Sequence, residues 1–137
     1  SYAPSSSDPS PKVFDCEVGL SERNVPLSKL NKDKKINIVI NMDPIEVPEN
    51  LPEAILELSK DRYDATIWPK GDDVLLGRYL DCSYKEEDKE YLCSKEVDGL
   101  NAIASIETDT GKFLFQSEAE TKNFSITQNM NGNCEKR

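Results

Sequence analysis

Four cysteines constrain this chain of 137 residues more than any other feature. Cys82 and Cys93 bracket a charged stretch that is typical of an exposed hairpin end, whereas Cys16 and Cys134 lie near the two ends of the sequence. Three pairings are possible on paper. Nesting Cys82–Cys93 inside Cys16–Cys134 is the simplest, because the two Cα atoms of a bridge must lie within about 7 Å. In the chain-entropy model the long bridge contributes about 4–5 kcal/mol and the short one about 3 kcal/mol.

Cysteine usage also bears on the compartment. Four reduced thiols or a metal site are the alternatives to two disulfides, but cysteine metal sites usually include a close C-x-x-C pair or a nearby histidine. This chain has neither, so we expect no metal. Paired cysteines favour an oxidising compartment, and the sequence opens without Met, as a trimmed mature protein does. We therefore expect a secreted protein, and Asn123 begins a glycosylation sequon that fits this expectation.

Composition predicts one domain and argues against two kinds of partner. Residues 1–11 are rich in Ser and Pro and are expected to be a flexible tail, whereas residues 12–137 are long enough to form a single core. The formal net charge is -9, and Lys and Arg form no basic stripe. Nucleic acid is therefore expected to bind weakly or not at all, and an anionic membrane is not an expected partner. No apolar run approaches the roughly 18 residues that a membrane span needs.

Apolar periodicity predicts the order of the elements. Alternation in KKINIVINM predicts a strand. Asn50 and Glu53 have the spacing of a helix N-cap and its partner, and the apolar stripe that follows predicts a helix over about 50–60. Every later strong signal is a strand, namely YDATIWP, VLLGRYLDCSY, KEYLCSK, LNAIASIET, KFLFQSEA and NFSITQN. Residues 19–34 and 129–137 are predicted loops.

These elements predict an α+β fold. One α-helix packs on a central antiparallel β-sheet of four or five strands, and two short strands form a small N-terminal β-hairpin. Trp68, at the end of a predicted strand, is interpreted as a core residue, although tryptophan is also enriched in binding hot spots.

The element order, with a bridge between the two ends of the chain, resembles the small secreted guanyl-preferring ribonucleases of fungi. It resembles still more the ribonuclease-like effectors of powdery mildews, the RALPH group. VFDC matches that group's aromatic-x-Cys start, Cys134 matches its paired cysteine, and RYDATI matches its Tyr-Pro-aliphatic strand, except that Asp64 replaces the proline. The resemblance covers about residues 12–134 and implies a microbial ribonuclease-like fold.

Transferring the ribonuclease active site to this chain leaves it without catalytic groups. Tyr63 matches the active-site tyrosine, Ala65 stands at the position of a histidine, and Arg78 stands at the position of a glutamate. The chain contains no histidine, so the commonest general base is absent. These three residues would form a vestigial cleft. We expect no enzyme activity, no catalytic residue and no cofactor.

The resemblance implies a secreted fungal effector, a catalytically inactive monomer that binds a plant host protein or is recognised by an immune receptor. Delivery into the host cell is an open option. The alternative is a secreted inhibitor or ligand-binding module, for example a cystatin-like protease inhibitor, because that fold also lays one helix on an antiparallel sheet. The cystatin inhibitory motif Gln-x-Val-x-Gly is absent.

We expect the purified protein to cleave RNA no faster than buffer does. General acid and general base catalysis each contribute about 10²–10⁴ in rate, and the usual suppliers of both are missing. Turnover of a guanosine-containing dinucleotide, followed from acidic to alkaline pH, measures this. Saturable turnover that disappears in a Tyr63→Phe variant would contradict the expectation.

Overall fold

The structure, a computed structural model, describes residues 10–25, 29–46, 50–58, 60–71, 78–123 and 125–137. Residues 1–9, which make up most of the predicted N-terminal tail, lie outside the described residues. The side chain of Arg78 also lies outside them.

Nearly all of the described chain is β-strand. In chain order the elements are β1 (Lys12–Val25), β2 (Lys29–Pro44), α1 (Glu53–Leu58), β3 (Arg62–Pro69), β4 (Arg78–Lys85), β5 (Glu90–Val97), β6 (Leu100–Glu107), β7 (Lys112–Glu120) and β8 (Ser125–Lys136). Each strand pairs antiparallel with the next one along the chain, and β8 pairs with β1. The sheet therefore closes into an up-and-down barrel, an arrangement that removes the edges of a sheet.

The barrel contradicts the predicted α+β fold. Helix α1 has only six residues, and Ile55, in its expected apolar stripe, is 45% exposed, so the helix does not cover a sheet. Strand periodicity runs through almost the whole chain, and the strands bury their apolar faces against one another instead of against a helix. A microbial ribonuclease-like fold and a cystatin-like fold both require a helix packed on the sheet, so neither describes this chain.

Two segments that were predicted as loops belong to the strands that close the barrel. Residues 19–25 continue β1, and residues 129–136 continue β8. These strands pair from Phe14 opposite Lys136 to Val25 opposite Ser125. Asn and Gly have low strand propensity, and they are frequent in 129–133. The local sequence therefore does not predict a strand here, and pairing with β1 stabilises the strand that forms.

Side chains fill the interior of the barrel. The isoleucines of the alternating β2 pattern face inward, where Ile38 is fully buried, and the buried hydrophobic residues form one cluster. Large inward residues such as Phe113 share this space with small ones such as Ala65 and Ala104. An eight-stranded barrel is just narrow enough for side chains to fill it.

Two disulfides are present, and they join the pairs that the sequence order favours. Cys16 faces Cys134 across β1 and β8, and Cys82 faces Cys93 across β4 and β5. The Cα atoms are 4.0 Å apart in both bridges. Cys16–Cys134 thus links the first strand to the last at the point where the barrel closes.

Gly132 allows β8 to approach β1 closely. A Cβ atom built on Gly132 would collide with the Glu17 carbonyl oxygen and would lie 2.7 Å from Val18 Cα. On the facing strand, a Cβ atom on Gly19 would meet the Asn131 carbonyl oxygen at 3.8 Å, which is an ordinary contact. The two glycines therefore differ sharply in the space around them.

We expect Gly132→Ala to lower the free energy of unfolding by about 1–3 kcal/mol, because backbone atoms of β1 must move to admit the methyl group. Gly19→Ala is the matched control, and we expect a change within about 0.5 kcal/mol. Urea unfolding followed by circular dichroism compares the two variants. Equal unfolding midpoints would show that β1 and β8 are not tightly packed at Gly132.

Asp15 connects β1 to the last residue of the chain and to the residue that follows β3. Its carboxylate accepts hydrogen bonds from Arg137, at 2.7 Å from Nε and 2.9 Å from Nη2, and forms an ion pair with Lys70. The hydrogen bonds from Arg137 and then Lys70 lower the pKa of Asp15 from 3.8 to about 2.

The lowered pKa predicts an acid-dependent contribution to stability. Since the folded state holds the Asp15 proton less tightly than the unfolded state, the contribution is present above pH 3.8 and is lost as the pH falls towards about 2. We expect the Tm difference between the native protein and Asp15→Asn to shrink over this interval. Asp43→Asn, which removes an exposed carboxylate from β2, is the control. A Tm difference for Asp15→Asn that stays constant down to the lowest pH would refute the linkage.

Candidate functional site

Three aliphatic side chains are exposed on the outer face of β5, β6 and β7. Leu92, Ile103 and Leu114 are 41%, 59% and 44% exposed, respectively. The strand register places Leu92 and Leu114 on either side of Ser105, and Ile103 lies two residues from Ser105 along β6. We call these three residues the aliphatic triangle, and their positions surround that of Ser105 on the outer face of the sheet.

The aliphatic triangle lines a groove of about 920 Å³ on the outer face of the barrel. Two rows of outward side chains cross β4 to β8 and form most of this groove. The first row is Ser83, Leu92, Ser105, Leu114 and Asn131, and the second row is Asp81, Ser94, Ile103, Gln116 and Asn129. Arg62 and Glu90 also line the groove. The groove thus crosses five strands, and two outward residues of each strand line it.

The groove has the chemistry of a binding surface. Its polar side chains are mostly serine hydroxyls and the amides of Asn and Gln, which both donate and accept hydrogen bonds. Its charged groups are Arg62, Asp81 and Glu90, near its ends and margin. In the part of the chain that the structure describes, no group of three His, Cys, Asp or Glu side chains could hold a metal ion.

The Cys82–Cys93 disulfide fixes the two strands at one end of the groove. Cys93 lies between Leu92 and Ser94 in β5, and its side chain is buried while those two neighbours face outward. The bridge therefore holds the β4–β5 register that aligns the two rows. A surface held in one arrangement loses less conformational freedom when it binds a partner.

Two of the three residues of the predicted vestigial cleft lie in the barrel interior. Tyr63 and Ala65 are each 1% exposed, and the Tyr63 ring packs edge-on against Tyr91 with 5.6 Å between the ring centroids. Arg78 faces Ile67 in the β3–β4 ladder. The structure therefore brings Tyr63 and Ala65 together as core neighbours.

An aromatic cluster packs the end of the barrel where β1 begins. It consists of Tyr91 and the three rings that contact it, those of Phe14, Tyr63 and Tyr84. Lys12, only 6% exposed, donates a hydrogen bond to the Ser10 carbonyl oxygen at 3.1 Å and lies 5.3 Å from the centroid of the Tyr63 ring. Burial raises the pKa of Tyr91 well above its usual value, and neighbouring tyrosines raise it further. A phenol held neutral in this way is suited to packing and not to base catalysis.

Two other residues singled out in the sequence lie at the surface. Trp68 is 44% exposed on the outer face of β3, so its interpretation as a core residue is wrong. Asn123, the first residue of the sequon, is exposed in the segment between β7 and β8.

The aliphatic triangle was not predicted from the sequence, although a signal was present. In each of β5, β6 and β7, one aliphatic residue stands at a position where strand alternation calls for a polar side chain. Alternation alone does not show that the three residues lie near one another, because their relative positions depend on the register between strands.

Comparison with known protein families, curated proteins and solved structures finds no match for this chain. Among the described residues, no helix is long and apolar enough to cross a membrane. The barrel and its groove are therefore the features from which a function can be inferred.

Proposed function

We propose that the protein is a secreted, non-catalytic module that binds another protein through the groove. The observation that carries the proposal is the aliphatic triangle, three exposed apolar side chains grouped on one face and bordered by hydroxyls and amides. Scattered surface hydrophobic residues need no explanation, but apolar side chains grouped in a groove and rimmed by polar groups are typical of an interaction site.

The filled interior favours a protein partner over a small molecule carried inside the barrel. Eight-stranded barrels either pack their interior with side chains or enclose one small ligand, as in lipocalins and streptavidin. Here the inward positions carry large residues such as Ile38, Tyr63 and Phe113, which are each at most 1% exposed.

Closure of the barrel also limits how a partner binds. Each of the strands that the structure describes is paired on both sides, so none of them offers an open edge to a partner strand. Recognition then depends on outward side chains and loops, and the groove offers the side chains. The two disulfides are compatible with an extracellular protein and support the proposal of secretion.

An effector that binds a plant host protein or immune receptor is one form of this function, and a secreted inhibitor is another. The effector proposal came from a resemblance whose implied ribonuclease-like fold is absent. The groove supports the common element of both forms, which is binding to a protein.

The test compares two variants that remove similar amounts of exposed aliphatic surface. We expect Ile103→Ser/Leu114→Ser to weaken binding at least tenfold, because central apolar residues of an interface each contribute more than about 1 kcal/mol. The control, Ile55→Ser/Val97→Ser, alters two exposed residues outside the groove, which are 45% and 49% exposed.

Immobilised native protein captures partners from plant extract, mass spectrometry identifies them, and calorimetry then measures the affinity of each variant for a purified partner. Unchanged affinity in the groove variant, or an equal loss in the control, would overturn the proposal. If only a Trp68→Ser variant lost binding, the interface would lie on the outer face of β3 and not in the groove.

A further inference from the structure

Charges around the groove indicate what kind of protein surface fits it. Building on the proposed function, we infer that the partner presents a cationic segment with one apolar anchor, which enters the aliphatic triangle. The inference depends on the charges that border the groove, on its neutral centre and on the closure of the barrel.

Carboxylates border the groove along both of its long sides. On one side, Glu96 and Glu118 each face Asn101 across a strand ladder, and both are exposed. On the other side, Glu90 faces Glu107. Lys85, opposite Glu90, and Lys112, at the start of β7, lie on that second side too. Lys95, beside Glu96, forms an ion pair with Asp81 of the groove, with 3.7 Å between Nζ and Oδ2. The side with Glu96 and Glu118 is therefore the more acidic.

The centre of the groove is neutral and the whole chain is acidic. A formal net charge of -9 attracts a cationic surface over the range of the Debye length, about 8 Å at physiological ionic strength. The same charge repels polyanions and disfavours a second copy of this chain as the occupant. Charge complementarity of this kind chiefly raises the association rate and selects among partners.

The aliphatic triangle fits one apolar side chain better than an extended hydrophobic surface. Leu92 and Leu114 are separated by two strand spacings, about 10 Å, with Ser105 between them. An aliphatic or aromatic side chain of the partner fills the space over Ser105 and contacts all three members. Amides such as Gln116 and Asn129 then lie beside it and can bond to the partner's main chain.

A defined peptide probe tests the charge and the anchor directly. The probe is a nine-residue synthetic peptide of alternating Lys and Ser with one central Trp, and its counterpart has Glu in place of every Lys. We expect NMR titration of the native protein with the Lys peptide to shift backbone amides around Leu92, Ile103 and Leu114. Binding should weaken as salt rises from low to physiological concentration.

Two charge-matched variants then locate the effect. Glu96→Gln/Glu118→Gln should weaken binding of the Lys peptide about threefold or more, the size expected for two exposed ion pairs. Asp43→Asn/Glu53→Gln makes the same change in net charge on β2 and α1 and should leave the affinity within about a factor of two.

Equal binding of the Glu peptide, shifts outside the groove, no detectable binding, or equal losses in the two charge variants would each overturn the inference. The proposed function has a separate readout. If a purified protein partner loses affinity in Ile103→Ser/Leu114→Ser but not in Glu96→Gln/Glu118→Gln, the groove binds a protein and the cationic segment is refuted.

Discussion

Pairing between the first and the last strand is the constraint on which the rest of this structure depends. The β1–β8 ladder runs from Phe14 opposite Lys136 to Val25 opposite Ser125. Without it, an eight-stranded meander would leave two unpaired edges and an interior open on one side. Gly132 lets the two backbones approach, and Cys16–Cys134 cross-links them at a sequence separation of 118. In the chain-entropy model, a loop of this length gives the largest stabilisation that a bridge in this chain can provide.

Closure determines where function can be located. Inward side chains pack the barrel, and each strand that the structure describes is paired on both sides. The remaining surfaces are the loops and the outward positions of the strands. Of these, the outer face of β5 to β7 combines exposed aliphatic residues with a groove, and Cys82–Cys93 fixes the register at one end of it. The same covalent link therefore serves the fold and the candidate site.

Local sequence patterns predicted much of the strand content but not the fold. The strands around Ala104 and Phe115 alternate clearly, and their interpretation needed only the period of two. The pairs Cys82–Cys93 and Cys16–Cys134 followed from sequence nesting. The prediction that the helix packs on a sheet was wrong, because an N-cap and a short apolar stripe indicate only that a helix begins. They do not show which surface the helix contacts.

Local sequence patterns could predict neither the closing strand nor the groove, and the physical reason is the same for both. The stretch around Gly132 has poor strand propensity, and only pairing with β1, more than 100 residues away, makes it a strand. The groove likewise depends on register across five strands. The two-residue turn at Asp98-Gly99, in which Gly99 has φ of 77°, helps to set that register between β5 and β6. Asp-Gly between two alternating runs is a strong hairpin signal, and it was available in the sequence.

The outward position of the aliphatic triangle separates binding from stability. The three side chains lie opposite the core on their strands, so changing them alters little of what holds the barrel together. Burying such residues in a core would stabilise the fold, whereas leaving them in water gains nothing for folding and adds a risk of association. A net charge of -9 opposes association between copies while it leaves a cationic partner attracted. The combination of an apolar centre and an acidic border therefore favours a specific partner over self-association.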